Sequence, residues 1–408
     1  MRSLIVPFIG VALLATACGG GGASGPTQLG AVAPIAGVGV GTNFGFDLGL
    51  VSGNRYYFTD RNNGAVDVFD TATSAQVGQI KGTGANAFAG LALTSTGGVD
   101  NSRSGPDGLN LVGNLLYAGD VNSVKVIDPS TQQVVNTITV GTSGRRADEG
   151  CVDAVHGMYM ISTPEADTPF ATFINTATQQ VVAQVTFTDP AGNPGAGLEQ
   201  CRYDSATDTF YVNNDGTTAN PHGELTALPG ASIRAIAAGG TVNYTQLAGM
   251  RAYSEGNCDP TGLAFGPGND IAVNCREGTT GAMLLVQIMD RSNGNILASL
   301  NAGGGDQLEY DSATNRYYSA ASRWTASGMA STNGACSAAS PCTPVLQIID
   351  AAARTVAMRL PTGNNAHSVA VDAVTFKAFV PVSSGASPGG CATCAASDPA
   401  GLLTFSTK

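Results

Sequence analysis

The sequence predicts an all-β protein: a seven-bladed β-propeller of four-stranded antiparallel blades, its ring closed by an N-terminal strand that completes the last blade. Three observations predict it. The stretch Leu115–Gly141, LLYAGDVNSVKVIDPSTQQVVNTITVG, reads as three short strands rich in Val, Ile, Thr and Tyr and separated by polar turns. Similar units fill the 408-residue chain at propeller spacing. Finally, one apolar segment near Ala31–Val38 has no neighbour in sequence, while the last unit lacks its fourth strand at the chain end. Pairing these two leaves no long edge open.

The elements follow in order. Asp128-Pro-Ser-Thr is a turn with a mechanism, because the Asp carboxylate accepts from backbone N–H groups just downstream and Pro fixes φ. The first unit starts at Phe46, the second at Pro106, the third at Asp148 and the fourth at Glu199. The fifth starts at Asp259, the sixth at Asp306 and the seventh at His367. The segments 82–105, 239–257 and 322–342 are long, rich in Gly, Ser, Thr and Asn, and read as insertions without strand pattern. The last of them is expected on the face where the innermost strands begin.

Residues 1–17 read as an export signal: Arg2 is the positive region, Leu4–Leu14 the apolar core, and the stretch is too short to span a membrane. Two endings fit. Ala15-Thr16-Ala17 suits ordinary signal cleavage, whereas Ala17-Cys18-Gly19 resembles a bacterial lipobox with Ala15 where Leu is usual. Nine cysteines favour the lipobox, since lipidation of Cys18 leaves an even eight for an oxidising compartment. Residues 18–29 then form a flexible tether and 30–408 the propeller. The expected location is the bacterial cell envelope, as a periplasmic or surface lipoprotein, with the lipid as the sole membrane contact. A net charge of −11 and the absence of a basic stripe argue against nucleic acid as a partner. The expected partners are a protein or a small molecule, bound by a monomer.

Tyr211-Val212-Asn213-Asn214 comes close to the name motif of the YVTN-type propeller repeat, and the frames Val124–Asp128 with Val134–Ile138 and Phe173–Asn175 with Val181–Val185 are similar to its second half. The resemblance covers nearly the whole mature chain. It implies the propeller fold and either a cell-envelope binding protein or a lactonase-like hydrolase; fold alone does not choose between them.

The eight remaining cysteines suggest staples. Cys258 and Cys275 bracket two neighbouring strands, Cys336 and Cys342 lie in one insertion, and Cys391 and Cys394 close a tight loop. Cys151 and Cys201 fall on innermost strands of adjacent blades, as a disulfide or as buried thiols.

Aligning the units on their first strand places Asp47, Asp107, Asp148, Glu199, Thr261, Asp306 and His367 at equivalent positions. All should converge on one mouth of the axial channel, with Glu149, Asp259 and Glu309 close by. The ends of the second strands bring Asp60, Arg61, Asp120, Asp215, Arg276 and Arg323 to the same face. His222 lies in a loop there, and a pair of His222 with His367 is one candidate centre; His156 lies on the opposite face. Trp324, the sole Trp, reads either as a recognition aromatic or as packing. Three roles fit the acids. They cap neighbouring loops blade by blade, they hold a hard cation such as Ca²⁺, or they act as catalytic carboxylates. No GxSxG elbow, P-loop or HExxH motif is present.

Overall fold

A computed structural model of the chain describes residues 25–276, 281–331, 336, 341–385 and 390–408. The signal segment and Cys18 lie outside the described residues.

The chain builds seven blades. Blade 1 is β1 (Phe46–Ser52), β2 (Arg55–Asp60), β3 (Ala65–Asp70) and β4 (Gln76–Ile80). Blade 2 is β5 (Leu109–Val112), β6 (Leu115–Asp120), β7 (Ser123–Asp128) and β8 (Gln133–Thr139). Blade 3 is β9 (Gly150–Asp153), β10 (Met158–Thr163), β11 (Phe170–Asn175) and β12 (Gln180–Thr186). Blade 4 opens with β13 (Leu198–Asp204), β14 (Thr209–Asn214) and β15 (Glu224–Pro229). A short helix α1 (Gly230–Arg234), β16 (Gly240–Asn243) and the outer strand β17 (Arg251–Ser254) follow. Blade 5 is β18 (Pro260–Phe265), β19 (Asp270–Cys275), β20 (Leu285–Asp290) and β21 (Ile296–Asn301). Blade 6 is β22 (Leu308–Asp311), β23 (Arg316–Ala321), β24 (Val345–Asp350) and β25 (Thr355–Pro361). Blade 7 is β26 (Ala370–Asp372), β27 (Lys377–Val382) and β28 (Gly401–Ser406). Each innermost strand touches the next, from β1 through β5, β9, β13, β18, β22 and β26 back to β1, which closes the circuit.

The fourth strand of blade 7 is the N-terminal segment 27–33, antiparallel to β28. Leu29 N donates to Thr404 O at 2.7 Å, Ala33 N to Leu402 O at 2.8 Å and Ser406 N to Thr27 O at 2.7 Å. The pairing begins at Thr27, ahead of the boundary expected at residue 30, and stops before Pro34, which has no N–H to continue a ladder. Ile35 instead turns inward and is buried with Phe46, Phe58 and Phe379 between blades 7 and 1.

Segment 239–257 differs from the expected strand-free insertion. β16 pairs in parallel with β12 as a fifth strand of blade 3, and β17 completes blade 4 by pairing with β15. Both are four residues long and bury none of their residues fully, so neither carries the alternation that marks a half-buried strand.

The hairpins share one device. Asp70 accepts from the backbone N–H groups of Ala72 and Thr73, Asn175 from Ala177 and Thr178, and Asp128 from Ser130 at 2.9 Å. The fourth residue after each takes a left-handed backbone: Ser74, Gln132 and Gln179 have φ of 59°, 55° and 55°. The side-chain bonds hold a turn that the residue type alone does not favour.

Apolar layers fill the wedges between blades. Tyr117 meets Tyr159 edge-on at 5.2 Å between blades 2 and 3, Phe173 meets Phe210 at 5.3 Å between blades 3 and 4, and Tyr56 stacks on Phe379 at 5.0 Å across the closing seam. Four disulfides join Cys151 to Cys201, Cys258 to Cys275, Cys336 to Cys342 and Cys391 to Cys394. The first ties β9 to β13, so the open alternative of two buried thiols falls away. The loops holding the last two also meet: Cys342 N donates to Gly390 O at 2.8 Å and Ala392 N to Cys342 O at 2.7 Å.

Candidate functional site

The innermost strands open on an axial cavity of about 370 Å³. Asp47, Asp148, Glu199, Asp306 and His367 reach it from the strand starts, as do Arg61, Arg276 and Arg323 from the ends of second strands. The insertion 322–342 borders it through Ser322, Arg323 and Cys336, on the expected face. The acids form two sectors with different electrostatics.

In the first sector, Asp47, Asp107 and Asp148 surround two guanidinium groups. Arg61 Nη2 lies 2.5 Å from Asp47 Oδ2, and its Nε donates to Asp107 Oδ1 at 2.9 Å. Arg146 Nη2 reaches Asp148 and Glu165, both at 2.8 Å, and Nη1 stands 3.7 Å from Asp47 and from Asp107. Burial pushes Asp107 up to about 8 against the pull of Arg61 and Arg146, and it pushes Asp148 up against Arg146. Burial also opposes the charge of Arg61, yet Asp107 and Asp47 prevail and raise it. Compensation in this sector comes from the chain's own cations.

The second sector is Glu149, Glu199 and Asp306, whose carboxylate oxygens lie within 4.8 Å of one another. Burial raises all three. The charges of Asp148 and Glu199 add to the effect on Glu149, and that of Asp215 adds to the effect on Glu199. Arg276 Nη1 stands 3.6 Å from Glu199 Oε1, a longer contact than any pair Arg61 makes. Burial, with Arg276 nearby, holds Arg323 down to about 9. His367 stacks on Phe46 at 4.5 Å between ring centroids. Its Nδ1 lies 2.7 Å from the Asn365 carbonyl oxygen, which can only accept, so Nδ1 is the donor of that bond. Asp47, Asp306 and His367 together form a third ligand-capable group.

Other expected site residues do not line this cavity. Asp107 lies behind it, closed by Arg61. Asp60 accepts from Asn63 N at 2.8 Å and Asn63 Nδ2 at 2.6 Å, holding a turn. Asp120 accepts from Ala89 N at 3.1 Å and pairs with Lys125 at 3.7 Å, which anchors the 82–105 insertion. Thr261 donates its hydroxyl proton within reach of Asn274 O and Gly305 O. Asp215 is half-buried, and desolvation pushes it up to about 6, against Arg276. His222 sits 3.3 Å from Asp259, outside the cavity, so it does not join His367. Trp324 is packed with Leu284, Ala321 and Ala330 beneath the Arg359 guanidinium, 4.6 Å from its centroid. It is a packing residue, because its ring closes the base of the insertion.

Arg146 and Glu165 were not expected. Neither occupies a repeated position; the signal was the basic pair Arg145-Arg146, one residue short of Asp148, in a chain with few charges. His156, on the opposite face, is exposed and paired: Nδ1 lies 2.9 Å from Asp153 Oδ2, and Arg234 pairs with Asp208 at 2.5 Å beside it. A second cavity of about 300 Å³ opens on that side, lined by Leu48, Leu109, Phe265, Arg202 and Glu309. Glu149 borders both cavities.

No protein-family model and no curated protein sequence matches the chain. Solved structures do. A chain of Kuenenia stuttgartiensis hydrazine synthase is 14% identical, with a TM-score of 0.58 over 85% of this chain and 96% of that one. A chain of a mitotic checkpoint complex is 9% identical, with a TM-score of 0.56 over 99% of this chain and 98% of that one. At such identities the likeness shows the fold alone: the chain is a seven-bladed β-propeller.

Proposed function

We propose that this propeller is a binding protein of the bacterial cell envelope, held by a lipid on Cys18 after removal of residues 1–17, which takes a small-molecule or protein ligand at its axial mouth. One observation carries the reading: ionisable side chains from blades 1, 3, 4, 5, 6 and 7 face a single open cavity. A hard cation such as Ca²⁺ belongs to this reading, and the YVTN-type resemblance and the four disulfides support an exported protein. A thermal-shift screen of polar small molecules tests it. Ligands that raise the melting temperature of the wild type should lose that effect in Asp306→Asn; ligands whose effect survives the substitution bind elsewhere and count against the mouth. Fractionation tests the anchor, with Cys18→Ser expected to move the protein from membrane to soluble fractions.

A lactonase-like hydrolase is the second reading. It is favoured by Glu149, Glu199 and Asp306, which burial holds toward the protonated form that a general acid requires. Turnover of a lactone panel, abolished in Asp306→Asn, would establish it.

A further inference from the structure

We infer that Glu149, Glu199 and Asp306 form a divalent-cation site at the waist of the axial channel, selective for Ca²⁺ over Mg²⁺. The inference rests on the axial mouth being a binding site and assigns its inorganic component. Three carboxylates from two adjacent blades and one more distant blade bring oxygens within 4.8 Å of one another. Ligands of one Ca²⁺, each about 2.3–2.6 Å from the ion, are separated by at most about twice that distance, so the three oxygens can share one Ca²⁺ shell; Mg²⁺ demands a near-ideal octahedron and dehydrates reluctantly, which disfavours it in a buried three-carboxylate cluster.

A second observation is independent of the clustering. Glu149 is 3% exposed, and its Oε2 has no hydrogen-bond partner among the described residues. A buried carboxylate oxygen without a donor is costly unless something cationic meets it. In the neighbouring sector Arg61 and Arg146 meet the acids directly. At Glu149 no guanidinium stands at pairing distance among the described residues. Three protein carboxylates leave coordination positions of a six- to eight-coordinate ion open to the cavity, where oxygen atoms of a ligand would complete it.

Calorimetric titration of the full mature protein with CaCl₂ tests the inference, with MgCl₂ in parallel and melting temperature as a second readout. One Ca²⁺ per chain is expected, with Mg²⁺ at least tenfold weaker. Glu149→Gln and Glu199→Gln should each weaken Ca²⁺ at least tenfold while remaining folded by circular dichroism. Asp208→Asn, which alters the Asp153–His156–Asp208 cluster on the opposite face, should bind as the wild type does. Folded wild type that takes up no Ca²⁺, or Ca²⁺ binding unaltered in Glu149→Gln, overturns the site. If Ca²⁺ is absent while a screened ligand still depends on Asp306, the cation site fails and the binding reading stands. If Ca²⁺ binds at these residues and no ligand does, the binding reading fails instead.

Discussion

Arg61 is 5% exposed and touches two carboxylates that have few other donors. Removing it in Arg61→Ala leaves buried Asp47 and Asp107 with only the longer contacts of Arg146, 3.7 Å from each, and breaking a buried pair from one side costs about 3–5 kcal/mol. Denaturant unfolding should show a loss of that size, larger than for an exposed arginine such as Arg251. Asp215 gives a pH signature. Its folded carboxyl titrates at about 6, above its value in the unfolded chain, because burial favours the neutral form. The group therefore contributes its full stability below about pH 4 and loses it as pH rises through about 6. In Asp215→Asn that loss is absent, so the fall in stability between about pH 4 and pH 7 should shrink by up to about 3 kcal/mol. The acids at the strand starts were legible because the repeat copies them. Arg146 was not, since a residue in an irregular loop has no copies to align, and its partner Glu165 lies on a separate loop.

At the scale of the element, the hairpin turns were the most legible feature: Asp128 binds Ser130 as its sequence context implies. The N-terminal strand was legible in existence but not in register. Pro34 ends the ladder and sends Ile35 into the seam, a switch that apolar content alone does not reveal. Ile35→Ala should cost about 2–5 kcal/mol in denaturant unfolding, since its site is enclosed by aromatic rings that have little room to collapse. The Cys151–Cys201 bond joins two innermost strands fifty residues apart in sequence. The double change Cys151→Ser with Cys201→Ser should lower stability by about 2–5 kcal/mol while keeping the blade arrangement, visible as an unchanged far-ultraviolet dichroism spectrum at 25 °C. β17 escaped the sequence reading because a four-residue strand, placed after a helix and a strand borrowed by the preceding blade, leaves no pattern to count.

The whole molecule places like charges at its centre and neutralises them unevenly: among the described residues, Arg61 and Arg146 pair at short range over one sector, while Arg276 stands 3.6 Å from Glu199 in the other. Sevenfold copying explains why the fold was legible from one stretch while the chemistry of the mouth was not: the copies fix where side chains arrive, and the exceptions decide what they meet. The closing seam carries a further consequence. Thr27 and Ser406 share a backbone hydrogen bond, so the two ends of the propeller are already neighbours. A circle has no obligatory starting point. A chain whose ends are fused by a brief spacer and which is reopened at the exposed Thr94–Gly98 turn should travel the same circuit from a different origin and arrive at the same shape.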